Sequence, residues 1–170
     1  MIAVFLAASC DGTTSGPNSS SIGGRAEDQG FVLIVAIPME ALTSSTGAAP
    51  IATLTWLGPD SDVRLAHSAN GPVLISFEEV GGTRKMSPAT LQSCGLTTFQ
   101  RGAPVAESPD KGVVWNDPDP NAAFYKAFAR EPGIRLPSGR WRIVVSVDGS
   151  LGGCGGQPLN LHVPLEVVVP

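Results

Sequence analysis

The plainest regularity in the chain is an alternation of apolar and polar residues near its C-terminal end. In RWRIVVSVD, Trp141, Ile143, Val145 and Val147 fall on one side, with Arg140, Arg142, Ser146 and Asp148 on the other. That is the period of two of a half-buried strand. LNLHVPLEVVV repeats the pattern, with Leu159, Leu161, Val163, Leu165, Val167 and Val169 against Asn160, His162 and Glu166. The two segments predict an antiparallel pair joined by the glycine-rich GSLGGCGGQP. Pro164 points to an edge position or a bulge in the second, because proline cannot donate to a ladder. LPSG at 136–139 reads as the turn that feeds the first.

Upstream, IATLTWL at 51–57 turns Ala52, Leu54 and Trp56 to one side, and PVLISFEEV at 72–80 does the same with Val73, Ile75 and Phe77. Shorter strands are predicted over 31–37, 63–67, 96–100 and 113–115. One helix interrupts them, in DPDPNAAFYKAFAREPG: Asp119 is placed to cap it, Pro120 suits its first position, and Pro132 with Gly133 ends it. Phe124 and Phe128, four apart, would form its core-facing stripe across one end of the strands. The expected class is all-β, an antiparallel β-sandwich with one short helix. Composition agrees, since 20 Gly, 15 Pro and only 15% charged residues favour short strands and many turns.

The order Cys94, Trp115, Cys154 resembles the immunoglobulin signature and implies an immunoglobulin-like sandwich. The pattern departs from that family at Gly152, which stands two places before the second cysteine where a corner tyrosine would be. A single domain over residues 29–170 is the expected organisation, since a chain of 170 residues has room for one sizeable core.

Ahead of that domain stands MIAVFLAASC, nine uncharged residues and a cysteine, followed by DGTTSGPNSSSIGG. The small residues Ala7, Ala8 and Ser9 before Cys10, with Leu6 preceding them, resemble a bacterial lipoprotein signal. The resemblance implies a signal peptide over 1–9 and a lipid anchor with a flexible tether over 10–28, Cys10 carrying the lipid. A thiol is the side chain that can take a thioether-linked diacylglycerol, and two or three acyl chains anchor stably where one does not. The expected address is the cell envelope, membrane-anchored and extracytoplasmic; in a Gram-negative host Asp11 after the cysteine would imply retention at the inner membrane. Lipidation of Cys10 leaves Cys94 and Cys154 as a pair, and in an oxidising compartment a disulfide between them is expected. Two free buried thiols are the alternative. The absence of C-x-x-C spacing argues against a redox role.

Chemistry is sparser. A net charge of −4, without a basic block, excludes a nucleic-acid backbone as the main partner. FVLIVAIPMEAL falls short of the roughly 18 to 20 apolar residues of a membrane-spanning helix. His67 and His162 are the only histidines. Asp60, Asp62 and Ser68 lie near His67 in sequence, but no G-x-S-x-G elbow positions a nucleophile. Cys154 and His162 lack the spacing and the following Met of a blue-copper loop. The run Asp117, Asp119, Asn121 starts like a calcium loop but puts Ala122 where glycine is needed and Phe128 where the bidentate Glu belongs. Arg84, Lys85, Arg135, Arg140 and Arg142 read as a solvated polar face. No catalytic residue, metal or cofactor is expected. The favoured reading is a non-catalytic module that binds an envelope protein or polymer. The alternative is an enzyme or metal-binding protein with a site around His67 or His162, which would require the two histidines to converge in a pocket with carboxylates.

Overall fold

The computed structural model describes residues 21–44, 49–88, 93–109 and 111–170. The expected signal peptide, Cys10 and residues 11–20 of the expected tether lie outside the described residues. Residues 21–28, expected to be the end of that tether, are instead a strand. β1 (Ser21–Asp28) runs antiparallel to β2 (Phe31–Pro38), with Ser21 opposite Pro38 and Asp28 opposite Phe31. Gln29 (φ 46°) and Gly30 (φ 85°) make the two-residue turn, both in the left-handed region that matches the twist of a hairpin. Ile22, Gly24, Ala26 and Asp28 face inward and half-buried, while Ser21, Gly23, Arg25 and Glu27 are exposed. At Gly24 another strand passes close: a Cβ there would stand 2.7 Å from Val163 Cγ1. The hairpin is also stitched on by hydrogen bonds. The Asn160 amide donates to Asp28 Oδ2 (2.7 Å) and Gln29 Nε2 to the Pro158 carbonyl (2.9 Å).

After β2 come a one-turn helix α1 (Met39–Thr43), β3 (Ile51–Trp56), β4 (Asp62–His67), β5 (Val73–Glu79), β6 (Lys85–Met86), β7 (Gly95–Gln100) and β8 (Pro104–Glu107). The chain closes with helix α2 (Ala122–Arg130), β9 (Gly139–Val147), β10 (Gly149–Leu151), β11 (Gln157–Pro158) and β12 (His162–Val169). All ladders between these strands are antiparallel, in three four-stranded sheets ordered β1-β2-β3-β8, β11-β10-β4-β7 and β12-β9-β5-β6. The expected β-sandwich is what the chain adopts, with α1 as a helix additional to the one anticipated. β7 and β8 are consecutive yet belong to different sheets. The switch is made at Gly102 (φ 76°), whose amide donates to the Trp56 carbonyl (2.7 Å).

The second and third sheets share their strand paths. Ser150 faces Pro158 and His162 faces Ser146, so one register runs through β9–β10 and β11–β12. Bonds from Val147 N to Leu161 O (3.0 Å) and Leu159 N to Gly149 O (2.9 Å) bridge the gap. This is the predicted C-terminal hairpin. On its other side β4 and β5 follow one another, but not in one register. His67 faces Gly149 and Val73 faces Val147, so six steps along one strand oppose two along the other. The four extra residues are extruded within 68–72, where Gly71 takes φ 88°.

One cluster of buried side chains fills the space between the first sheet and the other two, with Trp141, Ile143 and Val145 from β9, Phe31 and Leu33 from β2 and Phe99 from β7 at its centre. Phe31 meets Phe99 edge-on at 5.3 Å between ring centroids. The inward faces expected for β3 and β5 are those observed. Local expectations fail at residues 113–115, in the buried stripe of the helix and at its start, where Asn121 and not Asp119 is the N-cap and Pro120 precedes the helix. Residues 113–115 form no strand, and Trp115 packs half-buried from an irregular segment; β8, not anticipated, takes the edge of the first sheet. In α2 the deeply buried positions are Tyr125 and Phe128, not Phe124, which lies half-buried beneath the Arg84 guanidinium. Phe128 reaches Phe77 edge-on (5.6 Å) and Tyr125 Oη accepts from the Lys85 amide (3.1 Å), so α2 is held across the end of the sandwich. Asp119 Oδ1 accepts from the Asn121 amide (2.7 Å) just ahead of the helix, a local turn of the kind aspartate favours.

The carboxyl end of α2 is closed by a side chain from outside the helix. Lys111 Nζ donates to the carbonyls of Phe128 (2.8 Å), Glu131 and Gly133 (2.8 Å), and lies 4.8 Å from the Phe128 ring centroid. Burial pulls this ammonium below the usual lysine range, and Glu131 works against that pull. Replacing Lys111 by Met keeps the stem and strands the carbonyls. Urea unfolding should report a loss of about 1 to 3 kcal/mol, and an unchanged midpoint would mean that the cap adds nothing. On β1, Gly24→Leu should cost about 1 to 3 kcal/mol through overpacking against Val163, whereas Arg25→Ala on the exposed row should change stability by less than about 1 kcal/mol.

Candidate functional site

Cys94 and Cys154 form a disulfide, with 60 residues between them in sequence and Cα atoms 6.0 Å apart. Both residues are exposed. Cys94 immediately precedes β7 and Cys154 lies in the loop between β10 and β11, so the bridge ties two parts of one sheet at its rim. In the immunoglobulin pattern it would cross between sheets through the core, and neither this bridge nor Trp115 takes that arrangement.

The bridge lies in an open groove of about 460 Å³, whose walls include His67, Ser68, Ser93, Asp148, Ser150 and Gly156. Its shape follows from the register. The extruded residues after β4 leave one wall, the five-residue β10–β11 loop raises another, and the segment ahead of β7 closes a third. Gly95, opposite His67 on the neighbouring strand, leaves room for the imidazole; a Cβ there would stand 3.0 Å from His67 Cε1.

His67 is hydrogen-bonded on both nitrogens, Nδ1 to the Ser68 carbonyl (2.7 Å) and Nε2 to Thr97 Oγ1 (2.8 Å). A carbonyl can only accept, so Nδ1 carries the proton and, in the neutral ring, Nε2 accepts from the threonine hydroxyl. Ser68, His67 and Asp148 thus share a groove without the hydrogen bonds of a catalytic triad. The imidazole bonds the backbone of Ser68, whose buried hydroxyl has no hydrogen-bond partner. Asp62 sits at the far end of β4, about 16 Å along the strand, and the Asp60 carbonyl accepts from Trp56 Nε1 (3.0 Å). Neither carboxylate joins His67. His162 is exposed on β12, with Nε2 2.9 Å from Asn160 Oδ1, and does not line the groove. The two histidines are not brought together. Among the described residues no group of three or more His, Cys, Asp or Glu side chains is placed to hold a metal ion.

No family model, no curated protein and no solved structure matches this chain.

The charged candidates lie apart from the groove. Arg142 lies between Glu78 (3.8 Å) and Glu166 (3.5 Å) across three neighbouring strands, with Arg140 also near Glu166 (3.8 Å). Arg84 faces Glu79 (3.7 Å), while Arg135 lines a separate depression of about 410 Å³ at the C-terminal end of α2. Asp117 pairs with Lys126 (2.7 Å), which holds its carboxyl below the usual carboxylate range through a hydrogen bond and charge attraction. The run that resembles a calcium loop is thus occupied with starting a helix.

Asp148 lines the groove, and Thr97 and Gly95 hold and make room for His67; none of these three was legible as a site residue in the sequence. For the extruded residues the signal was present as SANGP, a turn cluster between two strands, but its length could not be told from an ordinary hairpin turn. If His67 serves as a buttress fixed by its two bonds, Thr97→Val should cost about 1 kcal/mol, and Ser68→Ala should be neutral or slightly stabilising because it removes a buried unpaired hydroxyl. Chemical unfolding of both variants measures this, and the reverse ranking would contradict the assignment.

Proposed function

We propose that the chain is a lipid-anchored extracytoplasmic module that binds a protein or polymer of the cell envelope without itself catalysing a reaction. The observation that carries this reading is the Cys94–Cys154 disulfide. Disulfides persist in oxidising compartments, and once these two cysteines are paired Cys10 is the one left over, behind an apolar run and small residues. With Ser21 already in the sheet, the expected tether reaches no further than residue 20. The groove around the disulfide is the surface best suited to a partner, being open, loop-walled and lined by hydroxyl, carboxylate and imidazole groups. An enzyme built on both histidines finds no support in their separate placement.

Replacing Cys10 by Ala should move the protein from the membrane fraction to the soluble fraction and leave the domain folded. Intact mass of the mature wild-type chain should show loss of residues 1–9 and a gain of two or three acyl chains. A membrane pool and mass unaltered by the substitution would rule out the lipid anchor. Binding is tested separately, by capture from envelope extract with wild-type protein and with Asp148→Asn and Ser150→Ala variants. A partner retained equally by all three would place the binding surface elsewhere.

A further inference from the structure

We propose that the Cys94–Cys154 bridge is a thiol-exchange site, opened in the folded protein by a thiol or dithiol that enters the groove. The proposal stands on the structure of the bridge and its surroundings, and does not depend on lipid anchoring or on a binding partner.

Three observations carry it. Both cysteines are exposed, and the bridge forms part of the wall of an open groove of about 460 Å³, so a small thiol or the tip of a dithiol protein can reach it without unfolding the domain. Cys154 is flanked by Gly152, Gly153, Gly155 and Gly156, of which Gly152, Gly153 and Gly155 have φ of 82°, 104° and 85°. Such a loop can move once its crosslink is cut, since glycine alone changes between these conformations without steric cost. Cys94, by contrast, is tied to the sheet through Gly95, which pairs with His67 at the start of β7. Finally, neither cysteine belongs to the buried cluster, and the register of the C-terminal hairpin runs past the loop on both sides. Opening the bridge therefore leaves the core packing in place.

The chemistry balances with a thiol as the only co-reactant. An incoming thiolate attacks Cys94 Sγ and forms a sulfur–sulfur bond to it. The bond to Cys154 Sγ breaks, that sulfur leaves with the electron pair and takes a proton from water, and the glycine loop carries it away. A second thiol, or the other arm of a dithiol, then attacks the mixed disulfide. It releases Cys94 as a thiol and leaves the reagent oxidised as its own disulfide. The reverse sequence closes the bridge.

The experiment separates opening of the folded protein from opening through global unfolding. Full-length protein is incubated with dithiothreitol at several concentrations in 0 to 1 M urea, quenched by alkylation and weighed, while hydrogen exchange follows β9 and β12. Expected are alkylated Cys94 and Cys154, counted by peptide mass apart from Cys10, a rate proportional to dithiothreitol that changes less than about twofold across the urea range, and β9–β12 amides that stay protected. Opening gated by unfolding would instead accelerate by roughly tenfold or more per molar urea, from the m-values of small domains. That result, or no opening before the hairpin amides exchange, would overturn the proposal. A second arm uses Cys154→Ser with oxidised glutathione. A glutathione adduct on Cys94 in the folded variant is expected, and a Cys94 that stays unmodified while a surface-thiol control reacts would equally overturn it.

Discussion

A slip of one residue between two strands turns every inward side chain outward, so a sandwich depends on whatever fixes its register. Here that is the C-terminal hairpin. β9–β10 and β11–β12 keep one register from Gly139 opposite Val169 to Leu151 opposite Gln157. Trp141, Ile143, Val145 and Val147 enter the core from one strand and Val163, Val167 and Val169 from the other. Every other strand of the second layer takes its position from this pair: β5 and then β6 continue from one half of its free side, β4 and then β7 from the other. Trp141 fastens the entry, buried completely with Nε1 donating to the Pro137 carbonyl (2.9 Å).

The groove is a consequence of that rigidity. The hairpin is continuous where the chain beside it is not, so the four surplus residues between β4 and β5 have to leave the sheet. They leave opposite Asp148, where β9 passes into β10, and the groove lies between them, the glycine loop and the start of β7. Polar groups gather because backbone that has left a ladder must find other partners. The Ser68 carbonyl finds His67, and the Asp148 amide finds the Pro72 carbonyl (2.8 Å). His67, Ser68 and Asp148 thus stand together because a mismatch in strand length put them there, next to a crosslink that closes the rim.

Where alternation was carried by large side chains, the sequence could be read directly. The hairpin, β3, β5 and the helix at Ala122–Arg130 were legible for that reason. β1 was not. Its inward row is Ile22, Gly24, Ala26 and Asp28, in which only Ile22 is large and apolar and Val163 leaves no room for a side chain at Gly24, so the segment looks like a tether. β8 was hidden by the opposite trait, a four-residue edge strand opening on Pro104. The apolar triplet at 113–115 misled because Val113 and Trp115 cover the core from an irregular path. Pairing of Cys94 with Cys154 could be reached by counting cysteines, but the groove could not. It depends on a difference between two registers, which no single segment contains.

The placement of the crosslink decides what it contributes. Joining residues 60 apart lowers the entropy of the unfolded chain by an amount equivalent to roughly 4 kcal/mol in the loop-closure picture. That contribution depends on the length of the loop and not on where in the folded protein the sulfurs stand. The core packing depends on Trp141, Phe31, Phe77 and Phe99, none of which lines the groove that holds the bridge. The two sources of stability are therefore separable. A bridge crossing between sheets through the interior would couple them, since cutting it would leave polar thiols among buried side chains. A bridge at the rim, with glycines beside one sulfur and a paired strand beside the other, leaves the interior as it was. What its opening alters first is the shape of the groove.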